Sequence, residues 1–336
     1  MRIKSEVKNV AKITVLGSGG WGMALAISAY NNGHDVTLWS PFEDEVNLLL
    51  EKRTNEKLLK GVYLPNSINI TTDLSAVEGD IITVIATPSI AVRDVAKKLS
   101  AYNDFGIVVN VSKGFEKCSL KRLSQVISDE LPSAPVVVLS GPSHAEEVAR
   151  GIPTSLVAAS RSFAAAEVVQ SIMSNSFLRV YTSDDVIGVE LGGALKNVIA
   201  VAAGGCDGLG LGDNTKAALI TRGLAEMARL GIVMGAKEYT FAGLAGIGDL
   251  IVTCTSQHSR NNRFGFKVGK GIKISDALDE VGTVEGYYAS LMANELSLKY
   301  GVEMPIINEV YKILYEGKEV KTTIFDLLNR PNKKEH

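Results

Sequence analysis

Short apolar runs and helical stretches alternate along the first half of the chain. The segments 12–16, 35–39, 81–86, 107–111, 136–139 and 154–158 are apolar and rich in β-branched residues. Most are continuous rather than alternating, as strands covered on both faces are. Strands that alternate with helices imply βαβ units and a parallel sheet with right-handed crossovers. After about Ser183 the texture changes. Segments 184–203, 214–230, 275–279, 287–299 and 306–315 read as helices, and 250–253 is a short strand-like run. The pair Gly204-Gly205 is expected to break the first of these helices. The pattern predicts an α/β chain with a doubly wound parallel sheet over 1–182 and an all-helical domain over 183–336. The gap between two such domains is the default place for a ligand. The polar leader 1–11 and the charged tail 331–336 are expected to fray.

Composition narrows the class. The chain has 336 residues, enough for about two domains. Hydrophobic residues make up 46% and the formal net charge is −2. That excludes disorder as the main state and a nucleic-acid binder acting through a global basic field. Cys118, Cys206 and Cys254 are odd in number and scattered. They form neither a disulfide framework nor a metal cluster, and a reducing compartment follows. No signal-type apolar region follows the charged start, and no apolar run reaches the ~18 residues of a membrane span. The expectation is a cytoplasmic protein without a metal or a membrane span.

The first chemical signal is Gly17-Ser18-Gly19-Gly20-Trp21-Gly22, a G-x-G-x-x-G between the strand 12–16 and a helix from Trp21 to Asn31. A second strand completes the βαβ within about 30 residues, which is the context a dinucleotide fingerprint needs. Gly17 serves the tight turn, Gly19 the approach of the pyrophosphate and Gly22 the packing of helix on strand. The fold class is therefore Rossmann-type. The second strand ends Leu38-Trp39-Ser40-Pro41, with Glu43 nearby and no Arg or Lys to pair with a 2′-phosphate. This leans the cofactor towards NAD, although Ser40 can hydrogen-bond either NAD or NADP.

Later segments carry candidate catalytic groups. Ser112-Lys113-Gly114 closes a strand and aims a cation at the ligand edge of the sheet. Ser140-Gly141-Pro142-Ser143 is not a nucleophile elbow, so Ser143 reads as a ligand hydrogen-bonder. Lys196 lies in the small-residue helix Gly192-Gly193-Ala194-Leu195-Lys196-Asn197. Burial there lowers an ammonium from ~10.4 towards the ~7–8 useful for proton transfer. The two glycines share its helix face, and bare backbone beside a lysine suggests room for a ligand. Asp249, an acid in an apolar loop, either orients Lys196 or caps a helix. Ser259-Arg260-Asn261 offers donors and a guanidinium fork suited to a phosphate dianion.

In their order, these motifs and Leu211-Gly212-Asp213-Asn214-Thr215-Lys216 resemble those of the bacterial NAD(P)-dependent glycerol-3-phosphate dehydrogenases. The resemblance runs from Gly17 to about Gly286. It implies reversible reduction of dihydroxyacetone phosphate to sn-glycerol 3-phosphate for phospholipid synthesis, in the cytoplasm, by a homodimer. It implies that Lys196 is the proton donor and acceptor. Substrate contacts would come from Lys113, Gly141, Ser143, Lys196, Asp249, Ser259, Arg260 and Asn261. Cofactor contacts would come from Gly17, Gly19, Gly20, Trp21, Gly22, Lys113, Ala145, Arg260, Val284 and Glu285. The chain departs from the family pattern at Gly20, where many relatives carry Ser, and at Ser40-Pro41, where many carry His or Arg. Another lysine-using hydroxyacid dehydrogenase and a non-catalytic NAD(H) sensor are the rival readings of the same residues.

Overall fold

A computed structural model describes residues 10–332, 334 and 335. The expected fraying of the leader falls largely outside the described residues. The chain divides into two compact units. The first comprises Met1–Ser112 and Ser124–Asp184, and the second comprises Lys113–Leu123 and Asp185–His336.

The first unit is built on eight strands: β1 (Lys12–Leu16), β2 (Asp35–Trp39), β3 (Asn69–Thr71), β4 (Asp80–Ile85), β5 (Phe105–Asn110), β6 (Val136–Ser140), β7 (Thr154–Ala159) and β8 (Leu178–Ser183). Their order is β3-β2-β1-β4-β5-β6-β7-β8. Ile13, Val15, Leu38, Val84, Val109 and Leu139 of this sheet join the helices in one core. β1 lies between β2 and β4, with Leu16 opposite Trp39 on one side and Ile85 on the other. The strand order reverses there, so the carboxyl end of β1 opens at the switch point where α/β sheets bind ligands. Helix α1 (Gly20–Asn31) leaves from that point, and α2 (Glu43–Lys52) follows β2.

The sheet is not wholly parallel, because β7 runs antiparallel to β6. Two strands escape the sequence pattern. β3 has three residues, too few to show a period. β8 alternates buried Leu178 and Val180 with exposed Arg179 and Tyr181, as an edge strand with one covered face does.

The second unit is helical around a central helix, Val186–Gly208. Asp185 caps it by accepting the Gly188 N–H at 2.9 Å. The expected break at Gly204-Gly205 does not occur. A Cβ on Gly204 would fall 2.0 Å from the Asn262 carbonyl oxygen, and one on Gly265 2.0 Å from that of Val201. These glycines let the helix Arg260–Gly269 lie against the central helix at backbone distance, so packing outweighs the propensity cost of about 1 kcal/mol each. The central helix is apolar and long enough to cross a membrane, yet 89% of its apolar window is buried inside the protein. The strand expected at 250–253 is also overturned: it lies within the helix Asp249–Thr255. Leu250, Thr253 and Cys254 are buried at helical spacing, whereas a run of four apolar residues does not distinguish the two periods.

Candidate active site

In the first unit the glycine loop bends from β1 into α1. Gly17 has φ +125°, and a Cβ there would meet the Ala86 carbonyl oxygen at 2.7 Å. A Cβ on Gly22 would fall 1.9 Å from the Gly17 oxygen, so only glycine lets the helix begin this close to the strand. Gly19 is the N-cap of α1 and has no side-chain cap, and its Cβ position has nothing within 4 Å. The first N–H groups of a helix have no intrahelical partner, and a side-chain-free N-cap at this turn suits a pyrophosphate. The buried Trp21 Nε1 and Thr87 Oγ1 have no hydrogen-bond partner among the described residues, and Thr87 borders the same turn. These residues fit a dinucleotide. At Gly20 a Cβ would stand 2.8 Å from the Leu58 carbonyl oxygen, so a side chain here would require that backbone to shift.

The turn after β6 adds Gly141, Ser143 and Ala145. Gly141 has φ +139° and backs onto β7, where a Cβ would meet the Ser155 carbonyl oxygen at 3.1 Å. The Ser143 hydroxyl donates to the Gly141 carbonyl at 2.9 Å. Ala145 opens the short helix Ala145–Val148.

The second unit gathers the charged groups. Lys196 stands midway along the central helix and is 6% exposed, and Asp249 is 1% exposed. The Lys196 ammonium donates to Asp249 Oδ1 at 2.6 Å and to Thr253 Oγ1 at 2.6 Å. The Thr253 hydroxyl in turn donates to the Asp249 carbonyl at 2.6 Å. The other carboxylate oxygen, Oδ2, accepts from Lys113 Nζ at 2.7 Å. Lys113 reaches Asp249 because segment 113–123 folds into this unit. Phe115 pairs with Arg122, and the buried Arg122 bridges to Glu190 on the central helix.

Burial pushes the Lys196 ammonium down to about 8; Asp249 opposes the shift and Lys113 adds to it. Burial alone pushes Asp249 up, but Lys113 and Lys196 outweigh it and hold the carboxyl below its usual value. Cys254 beside them is pushed up to about 12 by burial, so it stays a thiol. The cluster is a poised ammonium on a fixed carboxylate with a second cation alongside. That arrangement can pass a proton to an oxygen that gains negative charge.

Sequence reasoning anticipated Lys196, Asp249 and Lys113 but not Thr253. Its only signal is its place four residues after Asp249, and that signal needs the helix. Gly192 does not supply the ligand room expected beside Lys196. Gly192 faces the Ala245 carbonyl, 2.2 Å from its Cβ position, so it serves helix packing rather than ligand room.

Ser259 caps the helix Arg260–Gly269 by accepting the Asn262 N–H at 3.2 Å, and Arg260 is exposed at its first position. Asn261 is buried between three segments. It donates to Asn197 Oδ1 at 2.9 Å and accepts the Gly286 N–H at 2.8 Å. Both ends of its amide thus tie Asn197, next to Lys196, to the helix Glu285–Tyr300. Val284 has its side chain wholly inside the core, and Glu285 is half-buried at the start of that helix.

Comparison with known proteins agrees over both units. Residues 12–166 match the family described as NAD-dependent glycerol-3-phosphate dehydrogenase N-terminus, and residues 185–325 the corresponding C-terminus. A glycerol-3-phosphate dehydrogenase [NAD(P)+] of Desulfitobacterium hafniense is 50% identical over 328 residues, 97% of this chain and 93% of that protein. One from Thermoanaerobacter sp. is 52% identical over 327 residues, 96% of this chain and 98% of that protein. The crystal structure of a glycerol-3-phosphate dehydrogenase from Coxiella burnetii superposes with TM-score 0.92 at 38% identity, covering 96% of this chain and 99% of that one. With its glycine loop and its buried lysine–carboxylate cluster in the order of the family motifs, the chain belongs to the NAD(P)-dependent glycerol-3-phosphate dehydrogenase family.

Proposed function

We propose that Lys196 is the proton donor and acceptor by which this NAD(P)-dependent enzyme interconverts dihydroxyacetone phosphate and sn-glycerol 3-phosphate, and that NAD(H) is its preferred dinucleotide. The observation that carries this reading is the Lys196 ammonium, buried and lowered to about 8, on the Asp249 carboxylate. The bound dinucleotide supplies the hydride, or accepts it in the reverse direction. The side chains manage the oxygen. As the carbonyl carbon gains the hydride, its oxygen takes a proton from the Lys196 ammonium and the lysine is left neutral. In the reverse direction the neutral amine takes that proton from the alcohol. Asp249 and Thr253 hold the nitrogen in place, and the Lys113 charge stabilises the incipient alkoxide.

The remaining assignments follow the motifs. Arg260, with Ser259, holds the phosphate, and Asn261 serves that contact by tying the start of their helix to Asn197 and Gly286; this remote binding orients the reacting carbon. Gly141 and Ser143 add substrate contacts. Gly17, Gly19, Gly20, Trp21, Gly22 and Ala145 hold the dinucleotide. Lys113, Arg260, Glu285 and Val284 complete that set, Val284 through its backbone because its side chain is core. NAD is preferred over NADP, a reading supported by the absence of Arg or Lys from Leu38 to Glu45. The family likeness supports a cytoplasmic homodimer that feeds phospholipid synthesis, and sedimentation tests the oligomeric state.

Lys196→Met is the direct test, with turnover followed by NADH absorbance. Turnover should fall by about 10²–10⁴-fold while NADH binding is retained. Unchanged turnover rejects the assignment. Arg260→Ala should chiefly raise KM for dihydroxyacetone phosphate, and a normal KM counts against its phosphate role.

A further inference from the structure

The turn after β2 is laced to the glycine loop through one carboxylate. Ser40 is buried; its hydroxyl donates to Glu45 Oε2 at 2.7 Å and accepts the Phe42 N–H at 3.4 Å. Ser18, the second residue of the glycine loop, donates to the same Glu45 oxygen at 2.5 Å. The backbone joins the same two places, since the Gly17 N–H donates to the Trp39 carbonyl at 2.9 Å. Glu45 is half-buried, and its other oxygen, Oε1, has no hydrogen-bond partner among the described residues.

In dinucleotide folds an acid about 20 residues beyond the glycine loop, at the end of the second strand, accepts from the adenosine ribose hydroxyl. Here that strand end reads Ser40-Pro41-Phe42 and carries no acid. We propose that Glu45, from the first turn of α2, fills this place: Oε1 accepts the ribose 2′-hydroxyl, and its charge rejects a 2′-phosphate. The two serines fix its position. Their hydrogen bonds take up Oε2 and leave Oε1 to the ligand. Glu43 and Asp44 stand in the same first turn and add to its negative charge, and no lysine or arginine lies between Leu38 and Glu45. This inference rests on the NAD reading above and names the residue responsible for it.

The test is equilibrium binding of NADH and NADPH to the full chain without substrate, read by nicotinamide fluorescence. The wild type should bind NADH the more tightly. Glu45→Gln keeps an acceptor for the two serines and removes the charge. It should shift the ratio of the two dissociation constants towards NADPH by about tenfold or more, because like-charge juxtaposition is what it relieves. In the wild type the preference should narrow as salt is raised. Equal wild-type affinities overturn the NAD preference itself. A wild-type preference that survives Glu45→Gln unchanged overturns the role of Glu45 and leaves the preference standing. Parallel weakening of both cofactors, with the ratio intact, marks Glu45 as a strut of the loop and also overturns the proposal. A wild-type preference indifferent to salt contradicts charge as its origin.

Discussion

Lys196 Nζ lies 2.6 Å from Asp249 Oδ1, and that carboxylate takes a second ammonium, Lys113, on its other oxygen at 2.7 Å. Two cations on one buried anion leave a net positive charge in a site of low polarity. Burial lowers Lys196 and Asp249 opposes that shift, so the ammonium gives up its proton more readily than an exposed lysine does.

The pH dependence of the two directions should therefore be opposed. With Lys196 in its proposed role, ketone reduction draws on the ammonium, so its rate should fall as pH rises through about 8. Alcohol oxidation needs the neutral amine, so its rate should rise through the same region. Rate profiles in both directions check this. Two limbs of the same sign would contradict a shared proton on Lys196.

Asp249→Asn removes the charge that opposes the downward shift of Lys196. The descending limb of the reduction profile should move to lower pH, and turnover at neutral pH should drop by about tenfold or more. Loss of the carboxylate also leaves two ammonium groups close together, so the melting temperature should fall. A limb that stays in place would show that Asp249 does not set the proton affinity of Lys196.

The glycines of the central helix are not equivalent. Gly204→Ala would place a Cβ 2.0 Å from the Asn262 carbonyl oxygen, a backbone atom that cannot step aside. It should destabilise by about 1–3 kcal/mol despite the gain in helix propensity. Gly205→Ala meets only the Gly265 carbonyl oxygen at 3.9 Å. It should be neutral or stabilising by up to about 1 kcal/mol. Thermal or denaturant unfolding of the pair gives the comparison.

Glu226 caps the buried start of the helix Pro305–Glu316, accepting from Ile306 N–H at 2.8 Å and Ile307 N–H at 3.1 Å. Burial pushes its carboxyl up to about 7 against the opposing pull of those two N–H groups. A raised carboxyl favours the folded state while protonated. Its contribution is complete below the ordinary value of 4.5 and is lost as pH rises through about 7. Glu226→Gln has no such titration. The melting-temperature difference, wild type minus variant, should therefore be larger at pH 5 than at pH 8. A difference independent of pH would contradict the raised carboxyl.

Much of this protein was legible from its residues because local chemistry carries it. The glycine spacing after 12–16 needs one turn and one helix, all within a short stretch of chain. Continuous apolar runs mark strands covered on both faces, and Lys196 among small apolar residues marks a buried ammonium. Other features needed contacts that no local pattern holds. Helix and strand compete for a run such as 250–253 until packing selects one, and Thr253 joins Asp249 only once the helix exists. Gly204 breaks a helix in isolation and joins two helices where the Asn262 backbone lies against it.

The sequence by itself determined the doubly wound sheet, the glycine turn after β1 and the buried lysine of the central helix, since each follows from spacing along the chain. Tertiary structure alone decided that Lys113 and Lys196 share Asp249, and that Ser18 and Ser40 converge on Glu45. Each of those sets brings together side chains from separate elements, and only burial of the surrounding apolar surface holds such groups within hydrogen-bond reach.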